Sequence, residues 1–411
     1  MSNTETKSSY STQAEKGTMA RRLVFALLAQ LRHAGLTLVD SQGETHRFGD
    51  ETSDCQAHVL VREPGLYQRL LQGGSIAAGE AYMDGWWDSP DITAVVQVLA
   101  RNLAMLDKLE SKTSWMTRLA QSWQHFTRRN NKAGSKQNIL AHYDLGNDFY
   151  RTFLDPQMLY SCGIYHDPSE SLAQAQFNKM DRLCRQLDLQ PDDHLLEIGT
   201  GWGALAIHAA RQYGCRVTTT TISDAQYEYA KSRVEQEGLS DRITLLRKDY
   251  RDLTGQYDKL VSVEMVEAVG KRYLATYIKQ CQSLLNEGGL LAIQAITIAD
   301  QRFESYSKGV DFIQKHIFPG GFLPSVTLLA QSLTQYSDFV IRDLKDIGLD
   351  YARTLADWHR LFNASADQLS KQGFDPRFIR MWRYYLCYCE GGFKEKTIST
   401  VQLIASRPKW H

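Results

Sequence analysis

The segment Leu195-Leu196-Glu197-Ile198-Gly199-Thr200-Gly201-Trp202-Gly203 joins an apolar, strand-like run ending in an acid to a Gly-x-Gly-x-Gly turn, and the helix-like ALAIHAARQYG follows it. Glycine lets a backbone approach a ligand where a Cβ would collide, and a helix N-terminus presents N–H groups that lack intrahelical partners. Strand, glycine turn and helix in that order read as a nucleotide-binding turn. Nicotinamide fingerprints instead read Gly-x-Gly-x-x-Gly and carry an acid at the end of the next strand for the ribose. Here Glu197 stands two residues ahead of Gly199, and the next strand-like run ends in Thr221-Ile222-Ser223 with Gln226 beyond. Glu197, Gly199, Gly201, Thr221, Ile222 and Gln226 therefore point to S-adenosylmethionine (SAM) rather than NAD. After RITLLR, the segment Lys248-Asp249-Tyr250-Arg251 offers the Asp249 carboxylate to an adenine amino group, with Tyr250 beside it.

The elements that must position these groups alternate. From about residue 190, the β-rich runs HLLEIG, CRVTTTT, RITLLR, KLVSVEM, LLAIQAI, FVIRDLKDI and TVQLIAS are separated by helical patterns. Such alternation implies βαβ units and a mostly parallel sheet. Seven strands in this order predict an α/β, Rossmann-like class I methyltransferase sheet with its last strand antiparallel. Upstream, residues 19–125 mix a helix over about 19–34, strand-like LTLVD and HVLVRE, and further helices, which reads as a smaller N-terminal α+β domain. Residues 1–18 are polar and read as disordered. Residues 126–136 carry Gly, Ser and cations with Ala133 the one apolar side chain after Phe126, a linker by composition. The catalytic domain is then expected over 137–411.

Lys plus Arg balances Asp plus Glu at 47 each, so no global field draws the chain to nucleic acid. Locally, residues 101–136 carry eight cations against Asp107 and Glu110, a net +6. Leu99, Leu103, Leu106, Met116, Leu119, Trp123 and Phe126 recur at helical spacing between those cations, a pattern suited to peripheral docking on an anionic membrane. The seven cysteines lack the paired spacings of a zinc site and predict neither a disulfide scaffold nor a metal centre. With no apolar core to its first residues and no run of about 18 apolar residues, the chain reads as cytoplasmic, associated peripherally with the inner face of the membrane.

Denser motifs accompany the glycine turn: His142-Tyr143-Asp144 with Gly146-Asn147-Asp148-Phe149-Tyr150, Tyr160-Ser161-Cys162-Gly163, Glu267 within VEMVEAVG, FIQKHIFPGGFLPS, and YYLCYCEGGF with Cys389. Together they resemble the cyclopropane synthase and mycolic-acid methyltransferase family over about residues 136–411. GEAYMDGWWD at 79–88 resembles the extra domain of the phospholipid-acting branch. The resemblance implies transfer of a methylene from SAM across the cis double bond of a phospholipid acyl chain, through methyl transfer, a carbocation, deprotonation and ring closure. It adds Tyr160 and Ser161 to the cofactor residues. It also implies bicarbonate as the base, held by Cys162, Glu267, the Ile296 backbone and Tyr351, and a homodimer. Gln294 stands where the family often has histidine, and Ala268 replaces a common histidine beside the glutamate. Cys389 is either part of the site or a small buried hydrophobe, and Phe303, Tyr306, Tyr351 and Trp382 are candidates to line the cation's slot. Two other readings stay open: a methyltransferase that leaves the ring unclosed, and a catalytically silent lipid-binding protein.

Overall fold

The computed structural model describes residues 19–103 and 145–409. The polar start, the linker, the basic stretch beyond Leu103 and His142-Tyr143-Asp144 lie outside the described residues. The chain divides into two compact units, residues 1–122 with 366–395, and residues 123–365 with 396–411. The second unit is thus interrupted by part of the first, where the sequence suggested one run over 137–411.

In the first unit a helix over 19–28 stops short of the expected 34. His33, at φ 60, turns the chain into β1 (Gly35–Val39). β2 (Thr45–Gly49) pairs antiparallel with β1, β3 (Gln56–Val61) parallel with it, and β4 (Trp87–Asp88) antiparallel with β3. The helices Ile92–Arg101 and Pro376–Lys394 pack together in this unit. Gly391 permits their approach, since a Cβ there would lie 2.7 Å from Val96 Cβ. Thr93 Oγ1 donates to Glu390 Oε2 at 2.9 Å, and Arg101 Nε to Glu395 Oε2 at 3.0 Å. Glu390 and Gly391 of the C-terminal motif are thereby accounted for by helix packing.

The second unit contains all seven expected strands: β5 (His194–Ile198), β6 (Arg216–Thr220), β7 (Ile243–Leu246), β8 (Tyr257–Val263), β9 (Leu285–Ile298), β10 (Val340–Asp346) and β11 (Ile398–Ser406). Their order is β10-β11-β9-β8-β5-β6-β7. β5 to β9 pair in parallel, and the last strand, β11, runs antiparallel to both β9 and β10. This is the predicted Rossmann-like sheet. Apolar side chains pack in two clusters against it, one around Leu260, Tyr277 and Leu291, the other around Leu195, Leu205 and Val217. Strand order reverses at β5, and ligands of open parallel sheets bind beyond the carboxyl ends of the strands at such a point. The turns after β5, β6 and β8 lie there.

Candidate active site

The turn after β5 folds back on β6, with the Gly199 and Thr200 N–H groups donating to Thr220 O at 3.1 and 3.0 Å. Its glycines differ in purpose. A Cβ on Gly203 would sit 3.1 Å from Ala230 Cβ, so Gly203 serves helix packing. Gly201 has φ 53, and a Cβ there would meet no described atom within 4 Å. The backbone at Gly201 is thus left open to a ligand, which fits SAM. Behind the turn Glu197 Oε2 accepts from Thr219 Oγ1 at 2.6 Å. Thr221 Oγ1 donates to Gln226 Oε1 at 3.0 Å and accepts the Ser223 N–H at 3.1 Å, while Ile222 is half-buried. Asp249 is held by Arg251 Nε and Nη2 at 2.7 and 2.6 Å, and the neighbouring Tyr250 ring packs edge-on to Tyr277.

Next to this turn stands a pair of carboxylates. A Cβ on Gly199 would lie 3.6 Å from Met265 Cγ, and Met265 separates Glu264 from the short helix Val266–Val269 that carries Glu267. Glu264 Oε1 accepts the Cys162 N–H at 2.9 Å and Gln294 Nε2 at 2.8 Å, and Oε2 accepts the Tyr351 hydroxyl at 2.8 Å. Glu267 Oε1 accepts the Ile296 N–H, and its Oε2 is buried without a hydrogen-bond partner among the described residues. Gln294 is fully buried and also accepts from Gln402 Nε2 at 2.9 Å. The sequence therefore identified five groups that the structure does bring together, Cys162, Glu267, Gln294, Ile296 and Tyr351, but missed Glu264, on which three of them converge. Glu264 has φ 48, a left-handed conformation that costs a residue with a side chain roughly 1–3 kcal/mol. Its place is maintained by the three donors and by its own N–H, which donates to Gln294 O at 2.8 Å.

A second missed residue is Lys179, 1% exposed, on the helix Leu172–Gln186. Its Nζ donates to Ser161 Oγ at 2.8 Å. Burial lowers its pKa, opposed by the charges of Glu264, Asp155 and Glu197. Burial raises Glu264, opposed by the Cys162 N–H, Gln294, Tyr351 and Lys179. Burial, then the charge of Glu264, pushes Glu267 up to about 8, against the Ile296 N–H. Of these two buried acids Glu264 accepts three donors and Glu267 one, so hydrogen bonding favours the charged form more at Glu264 than at Glu267. The Cys162 thiol is raised by burial and by Glu264, which keeps it neutral and donating to Gly163 O at 3.1 Å. Burial also takes Glu197 to about 8. Both raised acids bind a proton on folding, so their contribution to stability is full below about 4.5 and is lost as pH rises toward about 8. Denaturant midpoints should fall across that window, and Glu267→Gln should flatten the fall, as a midpoint series against pH would read.

Aromatic side chains wall this region. Tyr160 lies 5.2 Å from Trp358 and 5.4 Å from Tyr150 between ring centroids, and Trp358 lies 6.0 Å from Tyr351, whose hydroxyl binds Glu264. On the Glu267 side, the Phe322 N–H donates to Glu267 O at 2.9 Å, and Phe322 packs edge-on to Phe303. Tyr306 accepts the Leu323 N–H at 3.2 Å, and burial raises its pKa. Of the aromatics read from sequence, Tyr351, Phe303 and Tyr306 belong to this unit. Trp382 and Cys389 lie on the helix Pro376–Lys394 of the other unit, Trp382 buried and Cys389 half-buried.

Comparisons with known proteins place the chain in a family. Residues 112–403 match the model of the family described as mycolic acid cyclopropane synthetase. The tuberculostearic acid methyltransferase UfaA1 of Mycobacterium tuberculosis is 37% identical over 90% of this chain and 87% of its own length. The cyclopropane-fatty-acyl-phospholipid synthase of Escherichia coli K12 is 36% identical over 85% of this chain and 88% of its own. Among solved structures, the mycolic acid cyclopropane synthase CmaA1 complexed with SAH and CTAB superposes with a TM-score of 0.62 at 27% identity, covering 66% of this chain and 98% of that one. The chain therefore belongs to the mycolic acid cyclopropane synthetase family of SAM-dependent enzymes.

Proposed function

We propose that the enzyme methylates the cis double bond of an unsaturated phospholipid acyl chain and that loss of a proton from the new methyl closes a cyclopropane ring. The observation that carries this reading is the buried pair Glu264 and Glu267, set among hydrogen-bond donors beside the glycine turn and faced by an aromatic wall. SAM, when bound, supplies an electrophilic methyl group on a sulfonium. An alkene attacking it leaves a carbocation on the acyl chain, which water would quench. Tyr160, Trp358 and Tyr351 offer ring faces that stabilise positive charge and exclude water, and the two buried acids offer one carboxylate as an acceptor for the proton. Gly201 leaves room at the turn for the cofactor, and Thr221 and Gln226 order the turn after β6.

The phospholipid substrate is supported by the similarity to the cyclopropane-fatty-acyl-phospholipid synthase of Escherichia coli and by the extent of both relatives' similarity, which reaches into the N-terminal residues. Among the described residues no helix is long and apolar enough to cross a membrane. The net +6 over 101–136 supports docking on anionic lipid. A second reading, methylation without ring closure, draws on the similarity to a relative named as a methyltransferase. Incubation with SAM and vesicles of cis-unsaturated phospholipid, followed by proton NMR of the fatty acids, tests both. Upfield ring hydrogens are expected. A product with one added CH₂ and no ring hydrogens would support the second reading, and unchanged lipid would refute both.

A further inference from the structure

The family resemblance calls for a bicarbonate ion on Cys162, Glu267, the Ile296 N–H and Tyr351. In this chain those groups are engaged. The Cys162 N–H, Gln294 Nε2 and the Tyr351 hydroxyl converge on Glu264 at 2.8–2.9 Å, and the Ile296 N–H is taken by Glu267. A further anion would displace a carboxylate from its donors and add charge beside Glu264, with Lys179 the buried cation whose charge bears on the site. These residues do not fit the ion.

We propose that the Glu264 carboxylate itself occupies the base position and removes the proton from the transferred methyl group. This rests on the methyl-transfer reading above. In the step, a C–H bond of that methyl breaks and its electron pair forms the second ring bond to the cationic carbon. The proton passes to Glu264, which becomes a neutral carboxylic acid and later releases it to solvent. With the sulfonium bond pair leaving on sulfur, one alkene and one SAM give one cyclopropane, one S-adenosylhomocysteine and one proton. Tyr351 and Gln294 are positioning residues, holding the carboxylate in one orientation. Glu267, whose Oε2 has no hydrogen-bond partner among the described residues, lies three residues on, in the short helix Val266–Val269.

The test uses the full chain in buffer stripped of carbon dioxide, at fixed pH and ionic strength. Wild-type turnover is expected to stay the same with and without added bicarbonate, and ¹³C-bicarbonate should show no binding by carbon NMR. Glu264→Gln should bind SAM normally but turn over about a hundredfold or more slowly, the usual scale for losing a base and its charge. Glu264→Gly removes the side chain at a φ of 48, which glycine adopts readily, and releases the three donors. This variant should bind ¹³C-bicarbonate and regain turnover when it is added. Wild-type binding of, or dependence on, bicarbonate would overturn the assignment, as would near-normal turnover in Glu264→Gln. If Glu264→Gly does not fold, Glu264→Gln and the wild-type arms still decide. Should wild type leave every unsaturated lipid unchanged, the methyl-transfer reading fails, and the binding arm separately reports whether the donors accept the ion.

Discussion

Gly201→Val should lose SAM binding, with affinity falling about a hundredfold or more, equivalent to about 2.8 kcal/mol, while the second unit stays folded. Two effects add at this position. A β-branched residue at φ 53 is a steric outlier, and its Cβ and methyls project into space that no described protein atom fills within 4 Å of a Cβ. Gly201→Ala separates them, since it keeps most of the conformational cost, roughly 1–2 kcal/mol, with far less bulk. Calorimetric titration with SAM, accompanied by circular dichroism, distinguishes lost binding from a damaged turn. Full SAM affinity in Gly201→Val would remove the cofactor from this turn.

Trp358→Ala should be the most damaging core substitution near the site. Trp358 is fully buried and packs against Tyr160, Phe153 and Tyr351. Deleting a buried tryptophan side chain costs about 3–5 kcal/mol. For a folding unit of some 250 residues that corresponds to a fall in melting temperature of about 10 °C. Turnover should drop as well, because Tyr351 loses the ring that braces it while its hydroxyl is bound to Glu264. Trp358→Phe should cost much less, since the indole Nε1 has no hydrogen-bond partner among the described residues to lose. Thermal unfolding of the two variants reads the difference, and equal loss in both would contradict the packing account.

The sheet was legible in the sequence because each strand is a short β-rich run bounded by a helical pattern, and alternation of that kind has few topological solutions. The glycine turn was legible because a ligand's close approach restricts residue type. The assignment of residues 366–395 to the first unit was not, since periodicity shows that a helix has an apolar face without showing which partner covers it. Gly391 makes that concrete, being explained by its distance to Val96 and by no local pattern. Glu264 was hidden for a similar reason. In VSVEMVEAVG two acids stand three residues apart at a strand end, and the motif drew attention to Glu267. The backbone turn at φ 48 that aims Glu264 at Cys162, Gln294 and Tyr351 leaves no mark on residue type. Lys179 did leave one. Leu172, Ala175, Lys179 and Leu183 fall at helical spacing, which places a lysine on the buried face and demands buried anions to meet it.

In the proposed reaction a methyl group passes to an acyl chain and the proton is lost from that same methyl. Incubating the enzyme with SAM carrying a fully deuterated methyl group and cis-unsaturated phospholipid vesicles, then weighing the released fatty acids by mass spectrometry, tests it directly. Deprotonation of the transferred methyl predicts a product that retains two deuterium atoms in a ring CD₂. A product retaining all three deuterium atoms, or fatty acids with no deuterium at all, would contradict it.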